Sequence, residues 1–303
     1  EDHCEFNLAE TCVASLTIEQ LLEMTGKNDS VMSDLLPMKM TYGAIQGSDR
    51  LRDAICTMYA KQTRENIVVT HGAIGANALV HETLVEPTDH VISVRPTYQQ
   101  HYSIPESYGA DVDILQLRPE NEFLPNLAEL KAMVRPETKL IVLNNPNNPT
   151  GALMEAEALD AFVTIARSCD AFVLCDEVYR GTNQIGDGFA PAMADVYEKG
   201  ISVAGMSKTF SLAGLRLGWI AAPLDVLEAV SIHRDYNTIS VGMLDDYFAA
   251  MALETKDKIL ARSQQITRGN LAILDAWVAD EPSMSYVKPK AGTTALLKYD
   301  FDM

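Results

Sequence analysis

Seven short apolar runs recur along the first three quarters of the chain, at 67–71, 90–94, 111–115, 139–144, 171–176, 201–205 and 217–222. Most are rich in Val, Ile and Leu and lack polar alternation, the pattern of strands covered on both faces. Between them, 127–134 and 154–168 repeat apolar positions at helical spacing. This alternation predicts an α/β fold with a mostly parallel, seven-stranded sheet lying between helices. The seventh run follows the sixth too closely for a helical crossover, so it is expected to enter antiparallel. From 240 to 278 the pattern reads as one long helix, interrupted only by Gly242 and Gly269.

In open sheets of this kind ligands gather beyond the carboxyl ends of the strands. The residues of chemical interest fall there: Gly72 after the first run, Tyr98 after the second, Asn148 after the fourth, Asp176 closing the fifth and Lys208 after the sixth. A lysine at such an edge is the residue type that forms a Schiff base, and Arg216, eight residues later, suits a phosphate dianion. Each has a plainer reading when taken alone. Lys208 could be a solvated lysine at a helix start, Asp176 a helix cap, Tyr98 or Tyr179 packing, and Asn148-Pro149-Thr150-Gly151 an ordinary turn.

Composition narrows the field. The chain has 303 residues, 47% hydrophobic and 22% charged, enough for one large domain and part of a second. A net charge of −18 argues against nucleic acid or an anionic membrane as the main partner. No apolar run approaches bilayer length and no signal-peptide pattern opens the chain. The five cysteines form no C-x-x-C pair. They point to a reduced, cytoplasmic protein without a disulfide frame or metal site, with Cys175 acting as a small buried hydrophobe.

In order and spacing, Asn145-Pro146-Asn147-Asn148-Pro149-Thr150-Gly151, Asp176-Glu177-Val178-Tyr179 and Ser207-Lys208 followed by Arg216 resemble the class I/II aminotransferases. These are fold-type I enzymes that depend on pyridoxal 5'-phosphate. The likeness runs from Asn7-Leu8-Ala9-Glu10 to the stretch at 288–292. It implies that Lys208 carries the cofactor as an aldimine and later shuttles the substrate's α-proton. Asp176 would pair with the pyridine nitrogen, Tyr179 and Asn148 would contact the ring's phenolate oxygen, and Tyr98 would stack on the ring. Gly72, Ala73, Ile74, Ser207 and Arg216 would form the phosphate cup. Tyr42 would reach the phosphate of the neighbouring subunit's site, making the enzyme a homodimer. The Asn148–Pro149 bond is expected to be cis. The implied division is 1–36 as an amino-terminal part of a small α+β domain, 37–266 as the cofactor-binding domain, and 267–303 as the start of the small domain's carboxy-terminal part.

The chain also departs from the family pattern. Gly205 stands where a serine is common and Ile74 where Ser or Thr is usual, removing two hydroxyl donors from the cup. The arginine that clamps the substrate α-carboxylate is expected after Met303. Around 240–246 there is no arginine for a distal acid; Asp245 and Asp246 stand there instead, which points to a substrate without a second carboxylate. The expected reaction is amino-group transfer between an amino acid and a 2-oxo acid. The alternative is a lyase or decarboxylase, such as a carbon–sulfur β-lyase, using the same residues. A ligand-sensing module of a transcription regulator is a third class, but no basic DNA-binding segment is visible in the sequence.

Overall fold

A computed structural model of the chain describes residues 5, 7–28, 30–186 and 188–301. The predicted runs all form strands: β1 (Ile67–Thr70), β2 (His90–Arg95), β3 (Asp111–Gln116), β4 (Thr138–Asn144), β5 (Phe172–Asp176), β6 (Gly200–Gly205) and β7 (Gly218–Ala221). They make one sheet in the order β1-β7-β6-β5-β4-β2-β3. The pairs β2–β3, β2–β4, β4–β5 and β5–β6 are parallel. As expected, β7 runs antiparallel, inserted between β1 and β6.

The strands that read as unbroken apolar runs are those with both faces covered. Gly72–Leu84 and Leu224–Asp235 pack on one face, where Val68, Leu140, Val142, Leu174 and Ile220 meet Leu79, Val80 and Val230. Ala156–Ser168 covers the other, setting Phe162 and Val163 against Ile141 and Val173. Burying one such side chain contributes about 1.5–3 kcal/mol, so these two layers dominate the stability of the sheet. Cys175 lies within this core at 1% exposure, where burial pushes its thiol well up. Cys12, Cys56, Cys169 and Cys175 are free thiols, and Cys4 lies outside the described residues.

Next to Asp176 a buried ion pair locks β5 to its surroundings. Glu177 accepts from the Met193 amide at 2.7 Å and the Ser202 hydroxyl at 2.7 Å, and it faces Arg180 at 3.2 Å. The Arg180 guanidinium lies between the rings of Tyr59 and Phe189, 5.0 Å from each.

The long helix expected from 240 to 278 is two helices, Met243–Glu254 and Lys256–Asp280. The break falls at Thr255, with φ −118° and ψ 20°, and not at either glycine. Gly242 caps the first helix and Gly269 sits within the second with open space around its Cα. The apolar block Ala249–Leu253 accounts for the break. It is buried on every side against Asp49–Cys56 and its neighbours, while the second helix leaves this core and exposes Ile273 and Trp277. A short hairpin, β8 (Met284–Tyr286) with β9 (Leu297–Tyr299), packs near the second helix.

His81, on Gly72–Leu84, is fully buried, and neither ring nitrogen has a hydrogen-bond partner among the described residues. Burial, and secondarily nearby His101, pushes it down to about 3 from an ordinary 6.5. The folded chain therefore keeps it neutral while the unfolded chain takes up a proton below 6.5. Its contribution to stability is present above pH 6.5 and is lost as the pH falls towards 3. By pH 5 the loss amounts to about 2 kcal/mol. Thermal unfolding is expected to show a midpoint that drops between pH 7 and pH 5, and His81→Leu should flatten that slope.

Candidate active site

The carboxyl ends of β4, β5 and β6, together with the turn after β1, enclose a cavity of about 250 Å³. Its walls include Ala73, Ile74, Tyr98, Asn148, Asp176, Tyr179, Ser207, Lys208 and Arg216. Nine residues singled out from the sequence thus meet in one place. Gly72 adjoins them, because a Cβ added there would lie 3.0 Å from Nη2 of Arg216. Its φ of +70° also favours glycine. Tyr42 lies elsewhere on this subunit, 75% exposed and outside the cavity.

Lys208 stands on a tight loop between β6 and β7, closed by backbone bonds from Met206 to Leu217 (2.9 Å) and from Leu212 to Met206 (2.9 Å). The Thr209 hydroxyl donates to the Val178 carbonyl at 2.9 Å, tying this loop to the end of β5. Facing it, Asp176 is 5% exposed. Its Oδ2 accepts from Asn77 Nδ2 at 2.9 Å and its Oδ1 from the Val178 amide at 3.2 Å. His101 Nε2 lies 3.4 Å from Oδ2. The Tyr98 ring meets His101 edge-on, with centroids 6.4 Å apart, and is itself 47% exposed.

Asn144, at the end of β4, donates to the Asp176 carbonyl at 2.8 Å and accepts from the Asn148 amide at 2.6 Å. It therefore fixes the Asn148 turn relative to β5. The Asn148–Pro149 bond is cis, as the resemblance implies; Arg95–Pro96 and Asn145–Pro146 are cis as well. Burial raises the Tyr179 phenol, keeping it a proton donor at neutral pH.

At the other end, Gly72–Leu84 begins without a side-chain cap, so its first amides point free beside Arg216. Arg216 donates to the Ala213 carbonyl at 3.1 Å and pairs with no carboxylate among the described residues. A guanidinium and an uncapped helix start form a seat for an anion. A buried carboxylate lies at the far side, and a primary amine sits on the wall.

Besides Val178 and Ala213, five further wall residues were given no role from the sequence: Thr11, Cys12, Asn77, Gln100 and Asn144. His101 stands behind them. Asn77 left a trace, since it is the one polar side chain in the apolar stretch Ala73–Val80, one turn before His81. Thr11 and Cys12 belong to an irregular segment without periodicity and left none. Asp246 is engaged elsewhere, accepting from the Ser48 amide at 2.8 Å and its hydroxyl at 2.5 Å. Asp245, half-buried, is raised by burial.

The family model described as "Aminotransferase class I and II" matches residues 34–294. The chain belongs to that family. A solved PLP-dependent aminotransferase from Streptococcus suis superposes with a TM-score of 0.95 at 43% identity, over 99% of this chain and 79% of that one. Capreomycidine synthase of Streptomyces vinaceus is 29% identical, over 85% of this chain and 66% of its own length. Aspartate/prephenate aminotransferase of Thermus thermophilus is 27% identical, over 72% and 58%. The chain spans less than two thirds of the length of these two relatives. Membership of the family makes pyridoxal phosphate the cofactor.

Packing shows what surrounds Gly205. A Cβ at Gly205 would lie 3.0 Å from the Leu217 carbonyl and 3.4 Å from the Ala73 amide. At Gly218 the approach is closer still, 2.4 Å to the Ala73 nitrogen. Gly218→Ala is therefore expected to cost about 1–3 kcal/mol in urea denaturation. Gly214→Ala, where a Cβ meets nothing within 4 Å, should leave stability nearly unchanged.

Proposed function

We propose that this protein is a pyridoxal-phosphate-dependent aminotransferase, moving an amino group between an amino acid and a 2-oxo acid and working as a homodimer. The convergence of Lys208, Asp176 and Arg216 on one cavity carries this reading. The residues present fit the cofactor. Arg216 and the uncapped helix start suit a phosphate, the open face of Tyr98 suits a flat ring, and buried Asp176 suits a ring N–H.

When bound, pyridoxal phosphate supplies an electron-withdrawing ring that stabilises negative charge at the substrate's α-carbon. Arg216, the Ala73 and Ile74 amides beyond Gly72, and the Ser207 hydroxyl would hold the phosphate. The partner subunit's Tyr42 would join them. Asp176, ionised, would accept the ring N–H and keep that nitrogen protonated. Tyr179 and Asn148 would donate to the ring oxygen, and Tyr98 would cover the ring and exclude water. Lys208 Nζ would take the proton from the substrate's Cα and return it on the far side of the transfer. The absence of arginine between 240 and 246, with Asp246 engaged by Ser48, favours a substrate with a single carboxylate.

One observation supports a second outcome on the same residues: a relative is named a synthase rather than an aminotransferase. Loss of ammonia or carbon dioxide without a 2-oxo acid acceptor would select the lyase or decarboxylase branch. Amino-acid product that appears only with an acceptor would select transfer.

Lys208→Ala is expected to abolish covalent capture of pyridoxal phosphate, read as loss of the borohydride-trapped mass adduct, and nearly all turnover. An adduct of undiminished yield in this variant would refute the assignment. Asp176→Ala should still capture the cofactor yet lose about a hundredfold or more in turnover, since proton abstraction then lacks its electron sink. Unchanged turnover would remove Asp176 from its role.

A further inference from the structure

Thr11 and Cys12 line the cavity, and the segment that carries them is fastened in place. The Thr293 hydroxyl donates to the Thr11 carbonyl at 2.6 Å. Glu10 Oε1 accepts from the amides of Thr11 and Cys12, each at 2.7 Å. With its backbone fixed on both sides, Thr11 aims its hydroxyl inward. That oxygen accepts from Lys208 Nζ at 2.5 Å, and Cys12 Sγ lies 3.4 Å from the same nitrogen. Among the described residues no carboxylate pairs with Lys208. The threonine oxygen is thus the strong acceptor for a half-buried amine. The hydroxyl also bears on Tyr179, where it offsets part of the effect of burial on the phenol.

A hydroxyl suits this position for a chemical reason. It accepts from an ammonium and donates to a free amine, so it holds the nitrogen in either state. A carboxylate in its place would fix the ammonium and suppress the nucleophile. Valine has the same shape but offers neither function.

We propose that Thr11 is a positioning residue of this site: its hydroxyl holds the Lys208 amine whenever that amine is not engaged with the cofactor, and sets it beside Tyr179. This inference rests on the reading of Lys208 as the reactive amine. It assigns a role to the amino-terminal segment that the strand-end motifs do not provide.

The experiment uses the cofactor-free protein, labelled with acetic anhydride at pH 8. Modification of Lys208 is followed by peptide mass spectrometry, with exposed Lys39 as internal standard. Loss of the acceptor disfavours the ammonium more than the amine. Thr11→Val is therefore expected to raise the relative labelling of Lys208 about three- to tenfold. Thr11→Ser should return it to the wild-type value, which a purely packing role would not require. In the same preparations, capture of added pyridoxal phosphate should be altered by Val and restored by Ser. Labelling of Thr11→Val indistinguishable from wild type, or a serine variant that behaves like the valine one, would overturn the proposal. If Lys208→Ala abolishes cofactor capture while the Thr11 variants label alike, this inference alone falls. If Lys208→Ala captures cofactor normally, the parent reading falls with it.

Discussion

A carboxylate held out of water at the end of a central strand governs the layout of this molecule. Asp176 is 5% exposed, and an ionised group in that position is costly unless donors surround it. The fold provides them from two directions, Asn77 from a helix on one face and the Val178 amide from its own loop, while the His101 ring lies 3.4 Å from the same carboxylate. Sheet order makes this arrangement available. With β4 and β6 flanking β5, Asn144 on one neighbour fixes the Asp176 carbonyl while the loop after the other presents Lys208. The acid and the amine thereby both line one small chamber without pairing directly.

Charge is distributed in a complementary way. The chain carries a net −18, yet the chamber presents Lys208 and Arg216 against one buried acid. Several arginines elsewhere are consumed by surface carboxylates, as in Arg50–Glu254, Arg64–Asp53, Arg118–Glu129 and Arg167–Glu198. Arg216 is held instead by a backbone carbonyl. Such a contact orients the guanidinium without neutralising it, which keeps its charge for an anion. Global acidity and a local anionophilic pocket are therefore compatible, because screening confines each effect to about 10 Å.

Much of this was legible in the sequence because it depends on short-range pattern. The seven strands appeared as apolar runs with ends displaced by about a residue, since burial on both faces demands that pattern. The antiparallel entry of β7 followed from loop length alone. Lys208, Asp176 and Asn148 were visible because each closes or follows a strand. What escaped notice depended on contacts between distant segments. Asn144 was read only as the end of an apolar run, although it bridges Asn148 and Asp176. Thr11 lies 197 residues from Lys208. The division of the long helix at Thr255 followed tertiary packing against Asp49–Cys56, whereas the glycines that read as interruptions cause none.

The wedge of β7 between β1 and β6 brings Gly205, Gly218 and the Ala73 amide nearly into van der Waals contact. A hydroxyl-bearing side chain at 205 would need the Leu217 carbonyl to yield by a few tenths of an ångström. Because the neighbouring main chain has settled around glycine, a larger residue at 205 becomes accessible only when a second position moves with it.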